Sequence, residues 1–338
     1  MTTPLEELLH TSEFKVVVYD ETMPNPTIKN VEEALALYID NQCDFIIGFG
    51  GGSSMDLTKA VGTRVVYPNK SVQQLKGFLR VIRQLPLLLA IPTTPGTGSE
   101  VTLTSVISDH EAKRKYPMNS FSLIPSFALL DPHVTLSLPP HMTSTTGMDA
   151  LTHAVEAYIG LPTTHETRTL TKDSVKLILE NIEIVYNDGN NVEARKNMLV
   201  ASYKAGIAFS KSYVGYIHAV AHTLGGQYNT PHGLANAVLM PVVLKEYGEC
   251  IYKKLYELAV YAHICDESDS YETGAKKMIQ KIEQLNHDMN IPSHFDFIKK
   301  EDISELAKHA ASEANPLYPV PKLMNAKQLE TFYYKISQ

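Results

Sequence analysis

Two short blocks of the chain carry side chains able to hold a divalent metal. Asp149 and His153 stand four residues apart in Gly147-Met148-Asp149-Ala150-Leu151-Thr152-His153. His218 and His222 repeat that spacing, and His232 follows in Pro231-His232-Gly233. On a helix, residues i and i+4 project from one face, so each block can present two donors together. One carboxylate with up to three imidazoles, and no thiolate, suits a borderline ion such as Fe(II) or Zn(II) rather than Ca or Mg. A structural site fills all its positions with protein atoms, whereas a catalytic one leaves room for a substrate oxygen. Five candidates compete for four places, so one belongs outside the coordination shell, and spacing leaves open which. The nine other histidines of the 13 are scattered singly and read as structural or surface residues.

A second chemistry is written in two loops. Gly48-Phe49-Gly50-Gly51-Gly52-Ser53-Ser54-Met55-Asp56 leads from an apolar run into a helical pattern. Consecutive glycines let the backbone approach a ligand and expose N–H groups at a helix start, which attracts phosphate. The loop is not the Rossmann fingerprint, since Ser53 stands in the third glycine's place, nor a P-loop, which ends in Gly-Lys-Ser/Thr. The plainer reading is a tight turn with Ser53 or Ser54 as helix N-cap. A second loop, Pro92-Thr93-Thr94-Pro95-Gly96-Thr97-Gly98-Ser99-Glu100, leaves another apolar run. Ligands of open α/β sheets bind at the carboxyl ends of strands. The pair therefore reads as a nucleotide cradle, with N–H groups for pyrophosphate and Thr hydroxyls for ribose or the nicotinamide amide.

The elements that must position these residues change texture along the chain. Phe14–Tyr19, Phe45–Gly48 and Pro86–Pro92 are short apolar runs read as strands. Ile28–Asp40 and Ser54–Val65 between them read as amphipathic helices. Such alternation predicts a doubly wound, parallel, Rossmann-like α/β domain. From Thr143 onward no strand pattern occurs, and Leu170–Tyr186, Glu193–Phe209, Ala235–Cys265 and Tyr271–Met289 carry helical periodicity. The Pro139-Pro140 pair divides the two, giving an expected dinucleotide-binding domain over 1–138 and an all-α metal-binding domain over 139–338. A length of 338 residues agrees with two cores.

Composition excludes other classes. A net charge of -7 without a basic run argues against nucleic acid as partner. No apolar stretch reaches the about 20 residues of a membrane span, and the first residues lack the basic-then-apolar pattern of a secretory signal. Cys43, Cys250 and Cys265 are scattered, which fits a reduced, cytoplasmic protein and argues against Cys ligation of a metal.

Four motifs occur in order. They are Gly50-Gly51-Gly52-Ser53-x-x-Asp56-x-x-Lys59, then Pro92-Thr93-Thr94-x-Gly96-Thr97-Gly98-Ser99-Glu100-Val101-Thr102. Gly147-x-Asp149-Ala150-x-x-His153-Ala154-x-Glu156 comes next, and last His218-x-x-x-His222-x-Leu224-Gly225 with Pro231-His232-Gly233. Together they closely resemble the iron-containing (group III) alcohol dehydrogenases, in particular their lactaldehyde reductase and propanediol/butanol dehydrogenase branch. The resemblance implies a metal-dependent oxidoreductase that interconverts a small primary alcohol or diol and its aldehyde with NAD or NADP. It implies Asp149, His153, His218 and His232 as ligands of Fe(II), with Zn(II) as the other candidate ion, in a cleft between the domains. It places His222 outside that shell, beside nicotinamide and substrate, as the catalytic proton carrier. Asn25, Gly51, Gly52, Ser53, Asp56, Thr93, Thr94, Thr97, Thr104 and Lys115 fall where relatives contact the dinucleotide. A homodimer is implied as well. The family's usual first βα unit finds no match ahead of Phe14, so Pro4–Leu9 is read as the tail of its helix and Val16–Tyr19 as its second strand. The acidic residue that selects NAD over NADP belongs to that unit. Two alternatives remain: a metal- and NAD-dependent lyase of the dehydroquinate-synthase type, and an inactive homologue with a binding role.

Overall fold

The computed structural model describes residues 3–109, 114–161 and 163–337. They form two compact units, one of Met1–Thr94 with Gly98–Thr135 and one of Pro95–Thr97 with Leu136–Gln338.

The first unit runs α1 (Thr3–Thr11), α2 (Ile28–Asp40), β1 (Phe45–Gly50), α3 (Gly52–Val66), α4 (Val72–Leu75) and β2 (Gly77–Phe78). It continues through β3 (Leu87–Pro92), β4 (Thr104–Asp109), β5 (Arg114–Asn119) and β6 (Phe127–Ala128). β1, β3 and β6 form a parallel sheet in that order, with Phe45 opposite Leu87 and Gly50 opposite Pro92. The α/β reading with its parallel strands is borne out. A second sheet, β2-β5-β4, pairs β4 antiparallel to β5, and nothing in the apolar patterning had announced it. α2 begins where Thr27 and Asn30 make a reciprocal capping box, and its Val31 and Leu35 are buried.

Phe14–Tyr19 departs from its expected strand. A strand exists only through ladder bonds to a neighbour, and among the described residues this run has no ladder partner. Its side chains instead pack locally. Phe14 meets Phe45 edge-on at 5.7 Å, and the Tyr19 hydroxyl bridges Glu33 and Asn30 of α2.

The second unit is helical throughout: α5 (Pro140–Ile159), α6 (His165–Asn187), α7 (Val192–Ser212), α8 (Tyr216–Tyr228) and α9 (His232–Tyr247). α10 (Glu249–Tyr261), α11 (Tyr271–Asp288), α12 (Ile303–Ala314) and α13 (Ala326–Ile336) complete it. The single helix expected over Ala235–Cys265 is two, because Gly248 adopts φ 57°, a left-handed conformation that ends α9. α5 is buried on almost every side from Met148 to Ile159. Its Leu151 and Val155 join Val175, Ile178 and Ile182 of α6 and Leu239 and Val243 of α9 in one continuous core. A helix enclosed on all sides cannot shift without disturbing its neighbours, so donors placed on it are held firmly.

Candidate functional site

α5, α8 and α9 bring Asp149, His153, His218 and His232 together. One ligand atom from each lies within 4.8 Å of all the others. Asp149 Oδ1 stands 3.4 Å from His232 Nε2 and 4.0 Å from His218 Nε2. His153 stacks between Phe209 at 4.2 Å and His218 at 4.4 Å. Burial pushes His153 below the ordinary imidazole range despite the nearby Asp149 carboxylate. Burial, with three neighbouring histidines, pushes His218 well below it. Both rings are thereby held neutral, the form that binds metal. His153 also leaves its buried Nδ1 without a hydrogen-bond partner, a costly condition for a polar atom in the protein interior. The donor set and the four-way convergence fit a divalent ion of the Fe(II) or Zn(II) type.

Glu156 and Asn236 brace part of this cluster. Glu156, one turn beyond His153 on α5, accepts from His218 Nδ1 at 2.6 Å and from the backbone N–H groups of Gly215 and Ile217 at 2.7 and 2.8 Å. The carboxylate thus caps the start of α8, where Gly215 supplies no side-chain cap of its own. It also fixes the proton of His218 on Nδ1, which gives Nε2 the lone pair. Burial raises Glu156 to about 7, with hydrogen bonds from the backbone at Gly215, Ile217 and His218 pulling the other way. A Cβ at Gly215 would lie 2.7 Å from Glu156 Oε1, so a side chain there would displace the carboxylate. Asn236, one turn past His232 on α9, donates Nδ2 to Asp149 at 2.7 Å and lies 3.1 and 3.2 Å from Nε2 of His232 and His218.

His222 lies beside this cluster, its ring stacked at 5.3 Å on His232 and edge-on to His218 at 6.0 Å. Its Nδ1 is 2.6 Å from Glu313 Oε1, to which the Tyr318 hydroxyl also donates at 2.7 Å. Glu156 stood in the third motif without a role, and Asn236 and Glu313 were not singled out from sequence. The i+3 and i+4 spacings of Glu156 from His153 and Asn236 from His232 carried a signal. Glu313, 91 residues from its partner, gave none.

In the first unit the glycine loop wraps the start of α3. The N-cap is Gly51, not Ser53 or Ser54, and no side chain caps it. The helix therefore presents unsatisfied N–H groups to whatever binds there. A Cβ at Gly51 would stand 3.1 Å from Thr94 Oγ1, so the two loops press together at that point. Thr93 N–H donates to Gly50 across the same junction. Asn25 joins the group, its N–H 3.3 Å from Ser53 Oγ and its Oδ1 accepting from Lys115 Nζ at 2.9 Å. Thr104 Oγ1 donates to Asn119 across the β4–β5 pair.

Asp56 accepts from Ser99 Oγ and Val106 N–H, each at 3.2 Å, and so ties α3 to the second loop and β4. Lys59 does the same from the buried side. Its ammonium donates to Ser99 Oγ and to Thr102 and Thr104 oxygens at 2.9–3.1 Å. Gly52 is the first residue of α3. Thr97 falls in the other unit, where Gly96 packs tightly on Thr146 of α5. A hollow of about 390 Å³ in the first unit, lined by Leu85, Leu88, Phe121 and Ile124 among others, contains no titratable side chain and plays no part in this arrangement.

Two family descriptions match this chain. The iron-containing alcohol dehydrogenase description covers residues 1–132, and the C-terminal description of the Fe-containing alcohol dehydrogenase family covers 143–337. The chain belongs to the iron-containing alcohol dehydrogenase family. It is 36% identical over 327 residues to a 1,3-propanediol dehydrogenase of Klebsiella pneumoniae, covering 94% of this chain and 82% of that one. Lactaldehyde reductase of Escherichia coli K12 is 35% identical over 304 residues, 88% of this chain and 78% of the relative. The crystal structure of a 1,3-propanediol oxidoreductase superposes with a TM-score of 0.95 at 34% identity, over 99% of this chain and 88% of that one. A sulfoacetaldehyde reductase from Bifidobacterium kashiwanohense, solved with NAD+, gives 0.88 at 26% identity over 100% and 88%. As a family member the chain is an oxidoreductase acting on alcohols or aldehydes, and the lyase alternative falls away. Among the described residues, no helix is long and apolar enough to cross a membrane.

Proposed function

We propose that this enzyme interconverts a small primary alcohol or diol and its aldehyde, using NAD or NADP and one divalent ion, Fe(II) or Zn(II). The observation that carries the reading is the meeting of Asp149, His153, His218 and His232 within 4.8 Å on three helices. These four would hold the ion, which when bound supplies Lewis acidity toward the substrate oxygen. The nicotinamide supplies the hydride acceptor.

The chain's own residues do the rest. Glu156 and Asn236 hold the ligand imidazoles and carboxylate at fixed angles, so the site is formed before its ion arrives. His222 takes the proton released from the substrate hydroxyl during oxidation and returns it during reduction. The uncapped start of α3, with Gly51, Gly52 and Ser53, receives pyrophosphate. Thr93, Thr94, Thr97, Thr104, Asn25 and Lys115 hold the rest of the dinucleotide, while Asp56 keeps the second loop tied to α3. The dispersed cysteines and the family resemblance support a cytoplasmic homodimer.

The test is reduction of NAD and of NADP with 1,2-propanediol, in protein reloaded with iron or with zinc and then treated with chelator. Turnover that appears with metal and disappears on chelation supports the reading. A folded, metal-loaded sample that reduces neither cofactor with any short alcohol or diol rejects it.

A further inference from the structure

Glu313 stands where no helical spacing would have put it. It reaches from α12 to His222 on α8, 91 residues away, and its Oε1 lies 2.6 Å from Nδ1. The Tyr318 hydroxyl, from the segment after α12, holds the same oxygen at 2.7 Å. We propose that Glu313 is the positioning residue of His222: it fixes the imidazole proton on Nδ1 and the ring orientation, so that Nε2 carries the lone pair that accepts the substrate's hydroxyl proton. The proposal rests on the reading of His222 as proton carrier given above.

The chemistry of the contact decides the tautomer. An ionised carboxylate accepts hydrogen bonds and donates none, so the nitrogen facing it must bear the proton. Glu313 Oε1 also accepts from the Tyr318 hydroxyl, so the oxygen that faces His222 Nδ1 is already held as an acceptor. His222 touches His232 face to face and His218 edge-on, and an imidazole rotated by half a turn would satisfy those two contacts equally. The two side chains are 42% and 35% exposed, a range in which ion pairs add little to stability. A fold-holding purpose is therefore a poor account of the pair, and an orienting purpose a good one.

During oxidation the hydroxyl proton passes to Nε2. The C–H hydrogen leaves with its electron pair to the nicotinamide, and the aldehyde forms. The imidazolium then releases its Nε2 proton to solvent. The Nδ1 proton stays on the bond to Glu313 throughout, and reduction runs the same steps backwards.

The test combines spectroscopy with kinetics on zinc-loaded protein labelled with ¹⁵N-histidine, the His222 signals being assigned by their loss in His222→Ala. Wild type should show the Nδ1–H tautomer. Glu313→Gln, whose amide oxygen still accepts, should keep it, whereas Glu313→Ala should give a mixture. For Glu313→Ala, kcat should fall on the order of 10- to 100-fold, by the usual cost of losing a residue that orients an imidazole. KM for the alcohol and zinc content should stay near wild type, and Glu313→Gln should recover part of the rate. Glu313→Leu gives the same readout should the alanine variant be unstable. In Glu313→Ala, an unchanged tautomer, or a kcat within about twofold of wild type while His222→Ala is slow, would overturn the proposal and spare the proton-carrier reading. A His222→Ala enzyme as fast as wild type would overturn both.

Discussion

The two ligand sites proposed for this protein are built in opposite ways. In the helical unit all four proposed metal donors sit on helices, and Glu156 and Asn236 hold His218 and Asp149 a second time from α5 and α9. In the α/β unit the residues proposed for the dinucleotide sit on loops, at one helix start and on β4 and β5, where the chain offers backbone N–H groups, short hydroxyls and one ammonium. The difference follows from what each ligand demands. A divalent ion would tolerate little error in angle or distance, so its donors need the rigidity of an enclosed core. A pyrophosphate carries charge over many oxygens, and any cluster of outward N–H groups will do, provided the backbone can come close. Loss of a part should therefore be severe in the first site and graded in the second.

Asp149→Ala should break the comparison hardest. Removing the sole carboxylate of the cluster should abolish metal retention. Turnover should drop on the order of 1,000-fold or more, since the ion's Lewis acidity is worth several kcal/mol. Metal analysis of the purified variant checks it, and wild-type metal content would contradict the ligand assignment.

Glu156→Gln comes next. It keeps the shape but weakens the hold on His218 Nδ1, so metal affinity should fall roughly 10- to 100-fold with the fold intact. A chelator competition titration reads this directly. Affinity equal to wild type would show that the brace contributes nothing.

On the cofactor side, Lys115→Ala should raise the cofactor KM only about fivefold, as expected of a contact made by an exposed side chain. A loss as large as that of Asp149→Ala would erase the contrast between the two sites.

The smallest effect concerns pH. Burial raises Glu100 to about 7, although Lys59 and a backbone hydrogen bond lower it. A carboxyl that binds its proton more tightly when folded stabilises the fold at low pH, fully below about 4.5. That contribution is lost as pH rises through about 7. Glu100→Gln should flatten this part of the profile, seen as a smaller fall in Tm between pH 5 and 7.5 than in wild type. An unchanged slope would show that Glu100 does not titrate there.

The legible and illegible parts of the sequence divide along similar lines. Asp149 with His153, and His218 with His222, could be read because a helix turns a four-residue spacing into a shared face. The parallel strands β1 and β3 could be read because strands covered on both sides are continuously apolar. The β4–β5 pair could not, since Thr104–Asp109 and Arg114–Asn119 mix polar and apolar residues and include Pro117. Phe14–Tyr19 has strand-forming residues, but propensity cannot tell whether a ladder partner exists. The break at Gly248 was hidden inside a long apolar periodicity that a single backbone angle interrupts. Glu313 was invisible because its purpose depends on a partner reached only through tertiary folding.

The carboxylate of Glu156 serves a helix start and an imidazole at once, and Gly215 is what lets it approach. Aspartate at 156 would be too short to reach both, and any side chain at 215 would push the carboxylate away. Glu156, Gly215 and His218 are thus a single heritable unit: drift at one is viable only with matching change in the other two. A homologue that has exchanged its metal ligand at 218 should carry altered residues at 156 and 215 as well, which makes these three positions a compact signature for telling metal-dependent descendants of this fold from those that have abandoned the ion.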